Sequence, residues 1–231
     1  MRKHFSNQEF RSVYDQDSSQ VFEGYEFNEC RFVSCAVSIT LDPTKRTTIR
    51  DVILRNCEIR GCALEAAILE EVVVDGFKTN GLFQTWGTVF KHVTLKGKID
   101  RVMFSPTVAI SKPDRKHQVL FDEANADYYA SLDWALDIHE GLFGECEIQG
   151  VPTHLVIRDP ETQVLVTRAK AARGEWRRLD LSKTHWATSL NFFLERGEQD
   201  VVLVAPRRHK NFKQLLDGLR RLRDAGVAQP D

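Results

Sequence analysis

Four of the chain's five cysteines stand in two pairs, Cys30/Cys35 and Cys57/Cys62, with members five residues apart and the pairs 27 apart. Four thiolates brought together would make a zinc site. The spacing is five, however, rather than the short C-x-x-C type, and cysteine is a favoured small filler of interiors. The pattern therefore favours core packing, and no metal ligand is assigned. An odd cysteine count also argues against a disulfide framework. The fifth, Cys146, closes the run His139-Glu140-Gly141-Leu142-Phe143-Gly144-Glu145-Cys146. A Cys–His pair is the raw material of a thiol nucleophile. Here Glu145 and Glu147 flank the sulfur and disfavour its thiolate. A hairpin with a Gly-bearing turn is the plainer reading.

Other groups invite binding rather than catalysis. His185-Trp186 stands near a helix start, as a binding pair or a half-buried capping pair. Towards the C-terminus Arg207, Arg208, Lys210, Lys213, Arg220, Arg221 and Arg223 oppose only Asp217 and Asp224, an excess of five. This is the one basic patch, and it could meet phosphate or an acidic partner. No aromatics interleave with it on the polar face, which favours a solvated face. There is no phosphate-binding Gly loop, H-E-x-x-H or G-x-S-x-G, and the seven histidines are scattered singly. No catalytic residue and no cofactor is assigned. The binding candidates are Trp86, His92, Trp134, His139, His185, Arg207, Arg208 and Lys210.

What must position these groups is a repeat. Phe22, Phe27, Phe32 and Val37 lie five apart, as do Ile49, Leu54, Ile59, Leu64, Leu69 and Val74. Two places before each comes a smaller series: Gln20, Tyr25, Cys30, Cys35, then Thr47, Val52, Cys57, Cys62, Ala67, Val72. A period of five is neither the 3.6 of a helix nor the 2 of an ordinary strand. It predicts a solenoid whose stacked coils bury a shared core. Asp42-Pro43-Thr44-Lys45-Arg46 separates the two runs and reads as a loop thrown out of one coil. With about 20 residues to a coil of four pentads, the 27-residue step from Phe22 to Ile49 leaves seven for that loop. Ile49 is then expected over Phe22, Leu54 over Phe27, Cys57 over Cys30 and Cys62 over Cys35.

After Val74 the period loosens. Val93, Leu95, Ile99, Val102 and Phe104 predict short strands that end the solenoid near Pro106. Residues 1–20 are polar without a clear period and read as an entry segment, in part disordered. Ser111-Lys112-Pro113-Asp114-Arg115 reads as a linker, and beyond it the grammar is α+β. A helix is expected over 122–134. Strands are expected over 135–138, 153–157 and 163–166, the last two as a hairpin about 158–162. Ser182 or Thr184 caps a helix that Gly197 ends. Residues 201–204 are a short buried strand, and 210–224 an amphipathic helix stopped by Gly226. The expected division is thus 1–20, a solenoid over 21–106 and an α+β domain over 107–231.

The segments Cys30-Arg31-Phe32-Val33-Ser34, Cys57-Glu58-Ile59-Arg60-Gly61 and Cys62-Ala63-Leu64-Glu65-Ala66 resemble the repeat of the pentapeptide-repeat proteins. That motif has Leu or Phe at a central inward position and a small residue two places before it. Tyr25-Glu26-Phe27-Asn28-Glu29 departs from it in its large first residue. The resemblance covers about a third of the chain and implies a right-handed quadrilateral β-helix, here of about four coils. Some members of that family imitate duplex DNA through a strongly acidic rod. Residues 21–105 carry 11 acidic and 11 basic residues, so this chain lacks the dense negative face such mimicry needs.

Over 231 residues the net charge is -1. No global field therefore argues for nucleic acid or a membrane surface. No stretch approaches the roughly 18 apolar residues of a membrane span. MRKHFSNQEF has no apolar run that would make it a secretory signal, so the cytoplasm is the expected address. The wall residues Glu26, Arg31, Arg55, Glu58, Arg60 and Glu65 mix their charges, which suits a specific protein partner. The expected function is a non-catalytic bacterial protein-interaction module, an immunity or antitoxin protein being one version. An uncapped coil end pairing with its copy would make a homodimer. The competing expectation is an enzyme with its site in 107–231 or at the junction, built from Trp86, His92, Trp134, His139 and His185.

Overall fold

The computed structural model describes residues 1–108 and 115–229, so 111–114 of the expected linker lie outside the described residues. The chain is mainly β, with a parallel sheet that curls on itself and a few helices. The first strands are β1 (Lys3–Ser6), β2 (Glu9–Arg11), β3 (Tyr14–Gln16), β4 (Val21–Asn28), β5 (Arg31–Val33) and β6 (Ala36–Ile39). Then come β7 (Thr48–Arg60), β8 (Ala63–Glu65), β9 (Ile68–Thr79), β10 (Phe83–Trp86), β11 (Val89–Lys91) and β12 (Val93–Ser105). Each pairs in parallel with a strand one rung on. One inward column runs Phe5, Phe27, Leu54, Val74, Leu95.

A pentad stays in step because side chains alternate in, out, in along three residues, and the chain must then turn. The turn calls for a left-handed φ, which Gly, Asn and Asp accept most readily. One corner column reads Gly24, Asp51, Glu71 and His92, with φ of 72°, 51°, 54° and 53°. Phe22 pairs with Ile49 and Phe27 with Leu54, as the 27-residue step predicts. The cysteines follow the same register: the Glu58 amide donates to the Cys30 carbonyl and the Ala63 amide to the Cys35 carbonyl. The thiols point at backbone carbonyls one rung earlier, those of Phe5, Phe10, Phe27 and Phe32.

Residues 1–20 are not a partly disordered entry segment. β1, β2 and β3 form a rung on β4, β5 and β6, 22 residues on. The pentad is hard to see there because, after Phe5 and Phe10, its next inward residue is Asp15, 6% exposed. That carboxylate is kept buried by hydrogen bonds from the Ser38 amide (2.9 Å), the Thr47 hydroxyl (2.5 Å) and the Ser18 hydroxyl.

Nor does the ladder end near Pro106. After α1 (Arg115–Tyr129), β13 (Leu136–Asp137) and β14 (Gly141–Ile148) pair in parallel with β12, and β15 (Val156–Ile157) with β13. The segment 139–146 is therefore a rung and not a hairpin turn. Its Gly144 permits close approach, since a Cβ there would lie 3.0 Å from the Asp100 carbonyl. The hairpin expected across 153–166 does not form either. β16 (Gln163–Thr167) pairs antiparallel with β17 (Asp200–Val204) instead. The turn chemistry is present, with Asp159 accepting from Glu161 and Thr162. Such local chemistry does not say which strand edge is free. The first helix is shifted towards the N-terminus of its expected span. Its end is set where the Tyr129 hydroxyl accepts from the Phe90 amide.

Around β16 and β17 pack α2 (Arg168–Ala172), α3 (Trp186–Arg196) and α4 (Phe212–Asp224). The Thr184 hydroxyl accepts from the Trp186 amide at the start of α3, and Gly197 (φ 82°) ends it. Gly226 (φ 69°) follows α4. Leu190, Phe193, Leu219 and Leu222 are all 0% exposed. Gly218 brings α4 onto Trp186, where a Cβ would lie 2.6 Å from Cδ1, and the indole donates to the Leu215 carbonyl at 2.9 Å.

Candidate functional site

The fold brings together one pair of the sequence candidates. His92, at its corner, stacks on Trp134 with ring centroids 4.6 Å apart. Its Nδ1 lies 2.5 Å from Glu71 Oε1 and its Nε2 2.7 Å from Asp133 Oδ1. A ring with a carboxylate at each nitrogen can donate twice only when protonated. The hydrogen bond to Asp133 is the main cause of a raised pKa, with Glu71 adding to it against opposing desolvation. The group clamps the loop after α1 to the ladder, and with both nitrogens engaged it is no general base. Trp86 is elsewhere, ending β10 in register with Glu65, whose pKa is raised by burial.

The remaining candidates stay apart. His139 is held by Asp137, 2.5 Å from Nδ1, which raises its pKa. Seven residues of mostly extended chain, ~20 Å, separate it from Cys146, and burial pushes that thiol up. No Cys–His nucleophile forms. His185 sits against Trp186, centroids 4.4 Å apart, and burial lowers its pKa.

The basic excess disappears in three dimensions. Arg207 binds Asp159 (2.8 Å) and Glu161 (3.2 Å), and Arg208 binds Asp100 (2.9 Å) and the Ile99 carbonyl (3.0 Å). Arg220 lies 3.7 Å from Glu161, Arg221 reaches Asp217 and Asp180, and Arg223 donates to the carbonyls of Pro160 and Glu161. Apart from Asp217, these acceptors come from other elements, so counting along the helix does not find them. Lys210 and Lys213 alone of the seven lack such a partner among the described residues.

On the outer walls the charges form ladders across rungs. Arg31 bridges Glu9 (3.2 Å) and Glu58 (3.1 Å), Arg60 adds to Glu58 (2.6 Å), and Arg55 bridges Glu26 (3.3 Å) and Asp75 (3.8 Å). Exposed pairs of this kind contribute little stability. What they make is a surface of alternating sign.

Two features escaped the sequence reading. First, the two segments that interrupt the repeat meet. Arg46, in the loop expected to be thrown out, is 6% exposed. It donates to the Gly87 carbonyl (3.3 Å) and to Asn125 of α1, and stacks 4.7 Å over Phe121 of the same helix. Its Nε has no partner among the described residues, and burial lowers its pKa to about 10. His117 of α1 lies 3.2 Å from the Leu41 carbonyl, and the Tyr128 hydroxyl donates to Glu70. On this platform Leu41, Val119 and Leu120 remain 41%, 45% and 49% exposed. The only sequence signal was that both segments break the pentad.

Second, the solenoid is hollow. An apolar cavity of about 410 Å³ runs among the inward residues from Phe5 to Phe104. No charged side chain lines it, and Thr85 brings a hydroxyl without a partner. Phe27, Phe32, Leu54, Leu64 and Phe77 are only partly buried although they point inward.

Among the described residues no three His, Cys, Asp or Glu side chains are placed to hold a metal ion, and no helix is long and apolar enough to cross a membrane. Compared with known proteins, the chain matches no protein-family model, and no curated protein or solved structure matches it significantly.

Proposed function

We propose that this chain is a non-catalytic protein-interaction module of the cytoplasm, of the immunity or antitoxin kind. Its scaffold would be a right-handed quadrilateral β-helix of pentapeptide-repeat type. What supports it is the parallel column Phe5, Phe27, Leu54, Val74 and Leu95, which crosses five rungs in four steps.

The observation that carries the reading is the platform where the two interruptions meet. Binding residues concentrate on segments held by a rigid scaffold. Interfaces centre on apolar side chains within a polar rim. Leu41, Val119 and Leu120 supply such a centre, and the Arg50–Glu70 pair, which the Tyr128 hydroxyl joins, supplies polar contacts beside it. The histidine candidates are spread over separate corners, each already held by its own neighbours.

The test is retention of partners from native lysate by tagged full-length protein, read by mass spectrometry. One stoichiometric protein is expected, lost on Leu120→Glu and kept on Lys213→Glu. If no protein is retained, or if Leu120→Glu retains the same partner unchanged, this reading fails.

A further inference from the structure

We propose that the interior of the solenoid binds one long-chain carboxylate, its alkyl tail in the apolar cavity and its carboxylate at Lys3. This is independent of the outer surface and of any protein partner.

The cavity has the size of a small-molecule site, about 410 Å³ against ~300–1,000 Å³ in general. It is elongated. Its lining includes Phe5, Phe27, Leu54, Val74 and Leu95, one residue from each of five successive rungs. At ~4.8 Å per rung that column is ~19 Å long. An extended alkyl chain advances ~1.25 Å per carbon, given bonds of ~1.5 Å, so the length matches about fifteen carbons. A lining with no charge and a single orphan hydroxyl selects against polar ligands. The pocket opens to the outside, and its apolar lining gains by exchanging the solvent there for an alkyl chain.

The two ends of the cavity differ. Edge-to-face ring pairs stand at both, Phe5 on Phe10 at 5.5 Å and Phe90 on Phe104 at 5.2 Å, but Phe90, Ile99 and Phe104 at the far end are 2%, 0% and 5% exposed, whereas Phe5 and Phe10 are only partly buried. At the near end stands Lys3. It pairs in register with Tyr25, whose ring lines the cavity, so Lys3 occupies the same inward column. Its ammonium lies 5.6 Å from the centre of that ring. Its neighbours are engaged, Arg2 by Asp51 and Arg11 by Glu9. Lys3 has no carboxylate partner among the described residues. A cation at the mouth of an uncharged tube is complementary to an amphiphile with one anionic head and one linear tail.

The experiment titrates the full-length protein, stripped of lipid, with hexadecanoate and follows the heat. One molecule per chain is expected to bind. Octanoate should bind at least ~100-fold more weakly, because each buried methylene adds a constant increment. Val74→Phe, which fills the tube, should abolish uptake and raise the melting temperature. Lys3→Glu should weaken hexadecanoate by about tenfold and leave hexadecanol unchanged. Phosphatidylcholine vesicles offered in place of the free acid should not retain the protein. The proposal is overturned if wild type takes up no hexadecanoate, or if Val74→Phe takes it up as well as wild type. It is overturned equally if vesicles bind the chain while the free acid does not. Should Val74→Phe not fold, the Lys3→Glu comparison of acid with alcohol decides alone, and an equal loss of both overturns the proposal.

Discussion

The parallel ladder and the C-terminal helical unit bury apolar residues in opposite ways. In the ladder, Phe27, Leu54 and Leu64 point inward yet stay partly accessible around a void. In the helical unit, Leu190, Phe193, Leu219 and Leu222 are sealed at 0% exposure. The ladder stacks like on like. Phe5 lies parallel over Phe27 and Phe10 over Phe32, with centroids 5.3 and 5.2 Å apart. Within a rung the rings of neighbouring walls also meet edge to face, Phe5 on Phe10 at 5.5 Å and Phe27 on Phe32 at 5.3 Å, yet these side chains stay only partly buried. The helical unit mixes shapes, and a Trp indole, a Gly backbone and several Leu branches fit one another. Regular spacing secures register, while irregular shapes secure density.

The contrast can be tested from the largest effect downward. Leu219→Ala should cost ~3–5 kcal/mol in chemical denaturation, because the site is closed and leaves a new cavity. Leu54→Ala borders an existing void and should cost under ~2 kcal/mol. Equal losses would break the comparison. Next comes the join between the two interruptions of the ladder. Asn125→Leu removes the one side-chain acceptor that a buried cation has among the described residues and should cost ~1–3 kcal/mol. Arg46→Met, which removes the cation itself, should hold or raise stability. A loss on Arg46→Met would show that its charge is needed where it lies.

Smaller effects probe single corners. Gly197→Ala should cost ~1 kcal/mol, since φ is 82° and nothing lies within 4 Å of a new Cβ, so the effect is of the backbone alone. The least is the His92 clamp. Its pKa is raised in the folded chain, so its stabilising contribution is fully present below the unfolded value of ~6.5. It is lost as pH rises through the higher folded value. Both carboxylates are more than half exposed, at 56% and 74%, so the effect on stability is small. A titration of the His92 ring by NMR should give a midpoint above that of an unfolded control. Asp133→Asn should lower it. A midpoint unmoved by Asp133→Asn would remove the clamp.

Much of the ladder was legible because its pairing is a matter of counting. The step of 27 residues placed Leu54 by Phe27 and Cys57 by Cys30 before any coordinates. Where a polar residue took an inward position, as Asp15 does, the count failed, since its compensating donors, Ser38 and Thr47, come from distant rungs. The helices α3 and α4 were legible from Gly197, Gly226 and the apolar face of 212–224. Of the candidate site less was legible. His92 and Trp134 were chosen separately, and nothing in their spacing shows that they stack or that Glu71 and Asp133 flank them. The basic excess in 207–224 was a true count over one segment that ignored acids at 159, 161 and 180.

By itself the sequence determined the period, the register of the 27-residue step and the ends of α3 and α4, because these depend on alternation, φ preference and local spacing along the chain. Only the tertiary structure decided which strand joined which edge, what neutralised each charge, where the two interruptions met and that the axis stayed hollow. Those depend on groups far apart in the chain arriving at the same place, and no local pattern records the meeting.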